Sequence, residues 1–131
     1  MMVNSRAKGA RAERDLCEHL KETMGWGSAR RSQQFCGAGQ TADLLVEEMP
    51  GLFIESKMVE KLSIHPVMER AVTEAGAKLA VVCHRKKRTG WLVTCRMEDW
   101  LALSQMVCES IRQAPSEESS QSGLTSSQPT G

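Results

Sequence analysis

Residues 41–57 read T-A-D-L-L-V-E-E-M-P-G-L-F-I-E-S-K, and this stretch decides how the chain is expected to fold. Two runs rich in apolar residues, 42–48 and 52–58, flank Met49-Pro50-Gly51. Alternating apolar runs separated by proline and glycine favour two strands joined by a turn. We therefore predict a β-hairpin with a three-residue turn at the centre of the stretch.

The charged residues of the hairpin are expected to share one face. Side chains alternate along a strand, so Glu55 and Lys57 lie on the same side as Phe53, and Ser56 lies on the other. A three-residue turn pairs Glu48 with Leu52 and hence Asp43 with Lys57, which places Asp43 on the face of Glu55. A slip of one residue would move Asp43 to the opposite face.

Two carboxylates and a lysine on one face are the groups that metal-dependent hydrolysis of a phosphodiester requires. Mg²⁺ prefers oxygen ligands, and Asp43, Glu55 and the backbone carbonyl of Ser56 can supply them, with Mn²⁺ as a substitute. The metal lowers the pKa of a bound water and stabilises charge on the phosphate, while Lys57 orients the nucleophile and the phosphate. Such pairs on a strand are more often solvated, but these charges extend a buried-looking strand, where unpaired charge is costly.

Further elements are predicted on both sides of the hairpin. Ala12, Leu16, Leu20 and Met24 recur every fourth residue, which is typical of an amphipathic helix from about Arg6 to Met24. The other predicted elements are a strand over 28–35, a glycine-bearing loop over 36–40, a helix from Ser63 or Pro66 to Gly76, strands over 78–84 and 91–95 with a turn between them, and a helix over 97–112. The order α-β-β-β-α-β-β-α predicts an α/β fold with a mixed five-stranded sheet flanked by helices.

The chain of 131 residues is expected to form one domain over residues 1–112 and a disordered, serine-rich tail over 113–131. All 17 basic residues precede the tail and two of the 16 acidic residues lie in it, so the domain carries a net charge of +3. Basic clusters favour a polyanionic partner, although they are also typical of solvated surfaces. The absence of zinc-ligand spacing, of a signal peptide and of a membrane-length apolar run predicts a cytoplasmic protein without membrane contact.

These residues resemble the PD-(D/E)XK nuclease superfamily, and within it the archaeal-type Holliday junction resolvases, including phage-encoded relatives. The matching segments are 5–16 (S-R-A-K-G-A-R-A-E-R-D-L), 37–44 (G-A-G-Q-T-A-D-L) and 53–57 (F-I-E-S-K). Two features depart from the family pattern. Ala42 stands before Asp43 where the superfamily name has proline, and Ile64-His65-Pro66 is an inserted-looking start to the second helix.

The resemblance implies a restriction-endonuclease-like fold and a Mg²⁺-dependent, structure-selective DNA endonuclease. It implies that Glu13 joins Asp43 and Glu55 around the metal, that Lys57 is the catalytic lysine, and that a homodimer cuts four-way DNA junctions in recombination and repair. The expected nucleic-acid-binding residues are Arg6, Lys8, Arg11, Arg14, Arg30 and Arg31. Two alternatives stay open: a nuclease of this superfamily acting on linear, nicked or flapped DNA, and a catalytically silent nucleic-acid-binding module.

Overall fold

The computed structural model of the chain describes residues 5–32 and 42–112, with side chains from residue 8 onward. The loop predicted over 36–40, the end of the strand predicted over 28–35 and the tail predicted over 113–131 fall wholly or partly outside the described residues. No helix in the described part of the chain has the length and apolar character that a bilayer span requires.

The described elements follow the predicted order α-β-β-β-α-β-β-α, with one additional 3-10 turn. They are α1 (Ser5–Met24), β1 (Arg30–Arg31), β2 (Leu44–Leu45), β3 (Leu52–Met58), α2 (Ile64–Ala75), β4 (Leu79–Arg85), β5 (Leu92–Thr94), the 3-10 turn Met97–Asp99 and α3 (Trp100–Arg112).

The five strands form one mixed sheet in the order β1-β2-β3-β4-β5. Neighbouring strands are antiparallel except β3 and β4, which are parallel along their whole length, from Leu52 opposite Leu79 to Met58 opposite Arg85. Parallel neighbours need a crossover connection, and α2 provides it. The predicted α/β fold with a mixed five-stranded sheet and flanking helices is therefore confirmed.

Each face of the sheet has its own buried core, as the alternation of side chains along β3 requires. Leu52 and Ile54 face one side, where α1 and α3 cover them, and Phe53 faces α2 on the other side. The first core contains Leu16, Cys17, Leu20, Trp26, Ala29, Leu44, Val46, Met49, Leu52, Ile54, Val81, Cys83 and Leu103. The second contains Ala42, Phe53, Met68, Ala71, Ala75, Ala80 and Val82.

The hairpin differs from its prediction in strand length and register. The strand predicted over 42–48 is only Leu44–Leu45, and Leu44 lies opposite Ile54 instead of Ser56. Two consecutive turns replace the predicted single one, because Met49 donates its N–H to the carbonyl of Val46 and Leu52 donates to that of Met49. Val46 and Met49 are buried in the core, so the connection folds inward instead of extending the ladder. The register offset is two residues, which preserves the predicted face.

Other boundaries are close to those predicted. The first strand begins at Arg30, not Ser28, because the backbone before it forms a turn in which Ala29 donates its N–H to the carbonyl of Trp26 at 3.1 Å. The Ser28 hydroxyl accepts the N–H of Glu47 at 2.7 Å and donates to the Glu48 carboxylate. The second helix begins and ends as predicted, after Ser63 and before Gly76. Gly76 has a φ of 62°, a left-handed value that favours glycine at a helix end. The strand predicted over 78–84 runs one residue later, the one over 91–95 is shorter, and a 3-10 turn opens the last predicted helix.

Candidate active site

An open cleft of about 530 Å³ lies where the second half of β3 meets α1 and the residue before β2. Strand β3 contributes residues 55–58 to its wall, Val59 follows the strand, and α1 contributes residues from its first turns. The chemically functional side chains that line the cleft are Lys8, Glu13, Asp43, Glu55, Ser56 and Lys57. All four residues predicted as catalytic therefore share one cleft, together with one of the predicted phosphate contacts.

Asp43 is held in place from both neighbouring strands. Its backbone N–H donates to the carbonyl of Ile54 at 3.0 Å, and its carbonyl accepts the N–H of Ser32 at 2.9 Å. Its carboxylate accepts the backbone N–H of Ser56 at 2.9 Å. Because Ser56 lies between Glu55 and Lys57, this bond fixes the aspartate directly beside the two charged residues of β3.

Burial and neighbouring negative charges disfavour the ionisation of both Asp43 and Glu55. The pKa of Glu55 is raised to about 7, chiefly by burial and then by the negative charge of Asp43, while Lys57 opposes the shift. Burial likewise raises the pKa of Asp43, the hydrogen bond from Ser56 lowers it, and the negative charge of Glu13 raises it. Two carboxylates in a partly desolvated cleft are unfavourable without a compensating cation.

Helix α2 places two further charges near this pair, and the sequence analysis did not identify them. Glu74 raises the pKa of both Asp43 and Glu55, and Arg70 lowers that of Glu55. Arg70 and Glu74 are four residues apart and therefore lie on one face of the helix. The spacing was visible in the sequence, but nothing there indicated that this face covers Glu55.

Glu13 lies on the α1 wall of the cleft and is bound to Arg31. The Nε atom of Arg31 donates to the carboxylate of Glu13 at 2.9 Å, and the glutamate side chain is only 18% exposed. Among the described residues, no three His, Cys, Asp or Glu side chains lie close enough together to hold a metal ion. Glu13 therefore shares the cleft with Asp43 and Glu55, while its carboxylate is bound to Arg31.

The donor set that remains suits one hard divalent cation. Asp43 and Glu55 offer carboxylate oxygens, and the backbone carbonyl of Ser56 offers a third oxygen donor of the type that Mg²⁺ prefers. The Ser56 hydroxyl is buried and has no hydrogen-bond partner in the described structure.

The predicted nucleic-acid-binding residues fall into three sets. Lys8 lines the cleft itself. Arg14, Arg30 and Arg31 line a neighbouring groove of about 400 Å³ between α1 and β1, together with Lys21. Arg30 is bound to Glu47 at 3.2 Å. Arg11 is exposed on α1 and lines neither depression, and the side chain of Arg6 lies outside the described part.

His84 is a further residue near the site, beside Lys57, that the sequence analysis did not assign. The parallel register places it opposite Lys57, and its Nε2 atom forms a 2.8 Å hydrogen bond with the Thr94 hydroxyl. Burial lowers its pKa, which favours the neutral ring at pH 7. The predicted strand 78–84 included this histidine, but only the register of two parallel strands shows that it lies beside the lysine.

Among solved structures, the chain is similar to Hjc, a Holliday junction resolvase from the archaeal hyperthermophile Archaeoglobus fulgidus. The sequence identity is 28%, the alignment covers 67% of this chain and 72% of that chain, and the TM-score is 0.49. No protein-family model matches the chain. No curated protein matches it either.

Proposed function

We propose that this chain is a Mg²⁺-dependent DNA endonuclease that cleaves four-way junctions, as a Holliday junction resolvase does. The observation that carries the proposal is the convergence of Asp43, Glu55 and Lys57 in one cleft, in which burial and neighbouring negative charge raise the pKa of both carboxyls. A protein that only bound nucleic acid would gain nothing from paired carboxylates facing a phosphate. A site that binds a cation requires them.

The residues that would hold the cation are Asp43, Glu55 and the backbone carbonyl of Ser56, with Mn²⁺ as a substitute for Mg²⁺. When bound there, a divalent cation would neutralise the two carboxylates and supply Lewis acidity toward a phosphodiester. Glu13 would add negative charge from the α1 wall, through water, while it stays bound to Arg31.

The remaining charged residues bind and orient the substrate. Lys57 shares the cleft with the carboxylates, so its ammonium can donate to a non-bridging oxygen of the scissile phosphate and to the attacking water. Lys8 faces the same cleft, and Arg14 lines the groove next to it. These two residues are placed to bind phosphates on either side of the one that is cut, which makes affinity dependent on salt.

A four-way junction as substrate implies two cuts related by symmetry, and therefore a homodimer with two clefts. This part of the proposal rests on the resemblance of segments 5–16, 37–44 and 53–57 to junction resolvases. The associated role is the resolution of branched DNA during recombination and repair.

Cleavage of an immobile four-way junction, compared with a linear duplex of the same sequence, tests the proposal directly. We expect Mg²⁺-dependent, symmetric nicks in the junction, no cleavage after chelation, and loss of cleavage in Glu55→Gln. Glu47→Gln is the matched control, because Glu47 is an exposed carboxylate that is absent from the cleft. Equal cleavage of the linear duplex would show that the enzyme does not select four-way junctions. Full activity of Glu55→Gln would refute the proposed site.

A further inference from the structure

The turn between β4 and β5 carries three consecutive basic residues, Lys86, Lys87 and Arg88, and all three are exposed. Within the described part of the chain, none of these side chains forms an ion pair with a carboxylate, whereas Arg85 just before them binds Asp15 at 3.1 Å. Like charges close together repel one another, and a polyanion that binds them relieves the repulsion. We call residues 86–88 the basic turn.

Hydrogen bonds fix the backbone of the basic turn. Thr89 donates its N–H to the carbonyl of Lys86 at 3.2 Å, and its hydroxyl accepts the N–H of Lys86 at 3.1 Å. The carboxylate of Glu60 accepts the N–H of Lys87 at 3.2 Å and joins the turn to the segment that follows β3. Lys61, exposed beside Glu60, offsets the charge of that carboxylate. The cationic side chains take no part in these bonds, so they remain available to a ligand.

Arg88 has a backbone conformation that its side chain does not favour. Its φ is 68°, and among the described residues it is the one position other than glycine with a positive φ. Left-handed backbone is unfavourable for a residue with a Cβ atom, and glycine is the usual residue there. A turn that only connected two strands would be more stable with glycine at this position. The arginine is therefore evidence that the cationic side chain has a role of its own.

The basic turn lies at the same end of the sheet as the cleft. Strands β3 and β4 are parallel, and Met58, which lines the cleft, lies opposite Arg85, the last residue before the turn. Lys57 is one residue before Met58, so the turn begins two residues past it, roughly 7 Å along the sheet. The cations of the turn are therefore close to the path of a phosphate backbone that enters the cleft.

We propose that the basic turn binds the sugar–phosphate backbone of a DNA duplex arm, at a phosphate site separate from the groove between α1 and β1. In the sheet order, the groove lies on the β1 side of β3, and the turn follows β4 on the other side. A DNA strand carries one charge per roughly 3.4 Å of helix axis, so a strand with one phosphate in the cleft extends further phosphates in both directions. The groove would bind those on one side and the basic turn those on the other. The position of the DNA in this inference rests on the proposed function.

Binding of an immobile four-way junction in EDTA, measured by fluorescence anisotropy over a series of salt concentrations, tests this inference without cleavage. At about 100 mM salt, Lys86→Gln/Lys87→Gln should bind at least roughly 10-fold more weakly than the wild type. The slope of log affinity against log salt should fall by about 2, because each lost phosphate contact releases about one counterion fewer.

The matched control is Lys78→Gln/Arg112→Gln, which removes the same amount of charge. Lys78 precedes the opposite end of β4 and Arg112 ends α3, and neither residue lines the cleft or the groove. The control should bind the junction nearly as the wild type does. Circular dichroism checks that each variant is folded.

Arg88→Gly separates a role in binding from a role in folding. Glycine favours the left-handed backbone of this position, so the variant should melt at or above the temperature of the wild type while its affinity for the junction falls several-fold. Junction affinities of both turn variants equal to that of the control would overturn the inference.

The cleavage assay in Mg²⁺ keeps this inference distinct from the proposed function. A wild type that cleaves the junction, while both turn variants bind it like the control, would overturn the inference and leave the proposed function standing. A wild type that never cleaves, but loses salt-dependent binding in both turn variants, would refute the proposed function and support the basic turn as a DNA-binding site.

Discussion

Two regions of the sheet depart from the usual distribution of polar and apolar residues in opposite ways: the cleft beside β2 and the second half of β3, called the β2–β3 end, and the outer strand, called the β5 end. At the β2–β3 end, Asp43 and Glu55 are partly buried carboxyls whose pKa values are raised by burial. At the β5 end, Leu92 and Trp100 are large apolar side chains with more than half of their surface exposed. Neither arrangement stabilises the isolated chain, because buried charge is costly and exposed apolar side chains gain no free energy from burial.

The comparison indicates which kind of partner each end can bind. Partly buried carboxyls are relieved by a cation, so the β2–β3 end is suited to metal-dependent chemistry. Exposed apolar side chains are relieved by another apolar surface, so the β5 end is suited to protein contact. Ile54 on β3 and Val82 on β4, at 1% and 0% exposure, are among the best buried residues and lie in the interior of the sheet. Buried apolar residues such as these therefore stabilise the fold, and the side chains of the β2–β3 end and the β5 end remain accessible for binding.

The largest effect is expected from Asp43→Asn, which removes the charge at the β2–β3 end and keeps its shape. An asparagine oxygen can still accept the Ser56 N–H, so the backbone should be unchanged. Loss of one metal-binding carboxylate should lower the cleavage rate by on the order of 10³-fold, equivalent to about 4 kcal/mol of transition-state stabilisation. Single-turnover cleavage of the junction measures this rate.

Binding of Mg²⁺ gives a second measurement on the same variant. Mg²⁺ should raise the melting temperature of the wild type and leave that of Asp43→Asn nearly unchanged, because a ligand stabilises the folded state only where it binds. Glu47→Gln should retain the full Mg²⁺ response. If Asp43→Asn responds to Mg²⁺ as the wild type does, the cation does not bind at the β2–β3 end.

The sequence predicted the regular part of this fold well and the irregular part poorly. Strand Leu52–Met58 and helix Ile64–Ala75 match their predictions, because an apolar run and clear helix-ending residues define them locally. The length of β2 did not follow from its sequence. Val46 and Met49 are apolar residues that suit a strand, but they are buried in a turn, and only tertiary packing distinguishes the two.

The candidate site was likewise predicted in part, where local sequence determines it, and missed where tertiary packing does. Asp43 and Glu55 share a face as predicted, although the predicted strand register was wrong. The register was off by two residues, and side chains along a strand alternate with a period of two, so the face is unchanged. The ion pair between Glu13 and Arg31, at 2.9 Å, could not be predicted, since it joins residues 18 positions apart through the packing of α1 on β1. The neighbours His84 and Glu74 depend on the β3–β4 register and the packing of α2, and no local pattern contains that information.

The next largest effect is expected at the centre of the sheet. Ile54→Ala should lower the free energy of unfolding by about 3–4 kcal/mol, through lost apolar burial and the cavity left behind. Urea denaturation followed by circular dichroism measures this change. Leu45→Ala is a control on the neighbouring strand, because Leu45 is 36% exposed and its truncation should cost much less. Equal losses of unfolding free energy in both variants would mean that the exposed Leu45 stabilises the fold as much as the buried Ile54 does.

A smaller effect, with a defined pH dependence, is expected from Glu55→Gln at the β2–β3 end. The pKa of Glu55 is about 7 in the folded chain and 4.5 as the ordinary value. Without divalent cation, the wild type should therefore lose stability as the pH rises from about 4.5 to 7, where the unfolded chain is ionised and the folded chain retains the proton. At pH 8 the glutamine variant should be more stable than the wild type by about 1–2 kcal/mol, a range reduced for the solvent access of this side chain.

Urea denaturation in the presence of EDTA at pH 5 and pH 8 measures this difference. The advantage of Glu55→Gln should be small at pH 5, where the wild-type carboxyl is mostly protonated. Asp43 shifts in the same direction, so part of the wild-type pH dependence should remain in the variant. An advantage of equal size at both pH values would mean that the charge of Glu55 is not its cause.

The smallest effect on stability is expected at the β5 end. A substitution there tests whether an exposed apolar side chain contributes to folding. Leu101→Gln removes a 69% exposed side chain from α3, so the unfolding free energy of the dilute monomer should change by less than about 0.5 kcal/mol. Leu103→Gln, two residues later in the same helix, replaces a side chain that is only 7% exposed and should cost several times more. Chemical denaturation at a concentration below the dimer range compares the two. If Leu101→Gln destabilises the monomer as much as Leu103→Gln does, Leu101 stabilises the fold of its own chain. The exposed apolar side chains of the β5 end would then not indicate a binding surface.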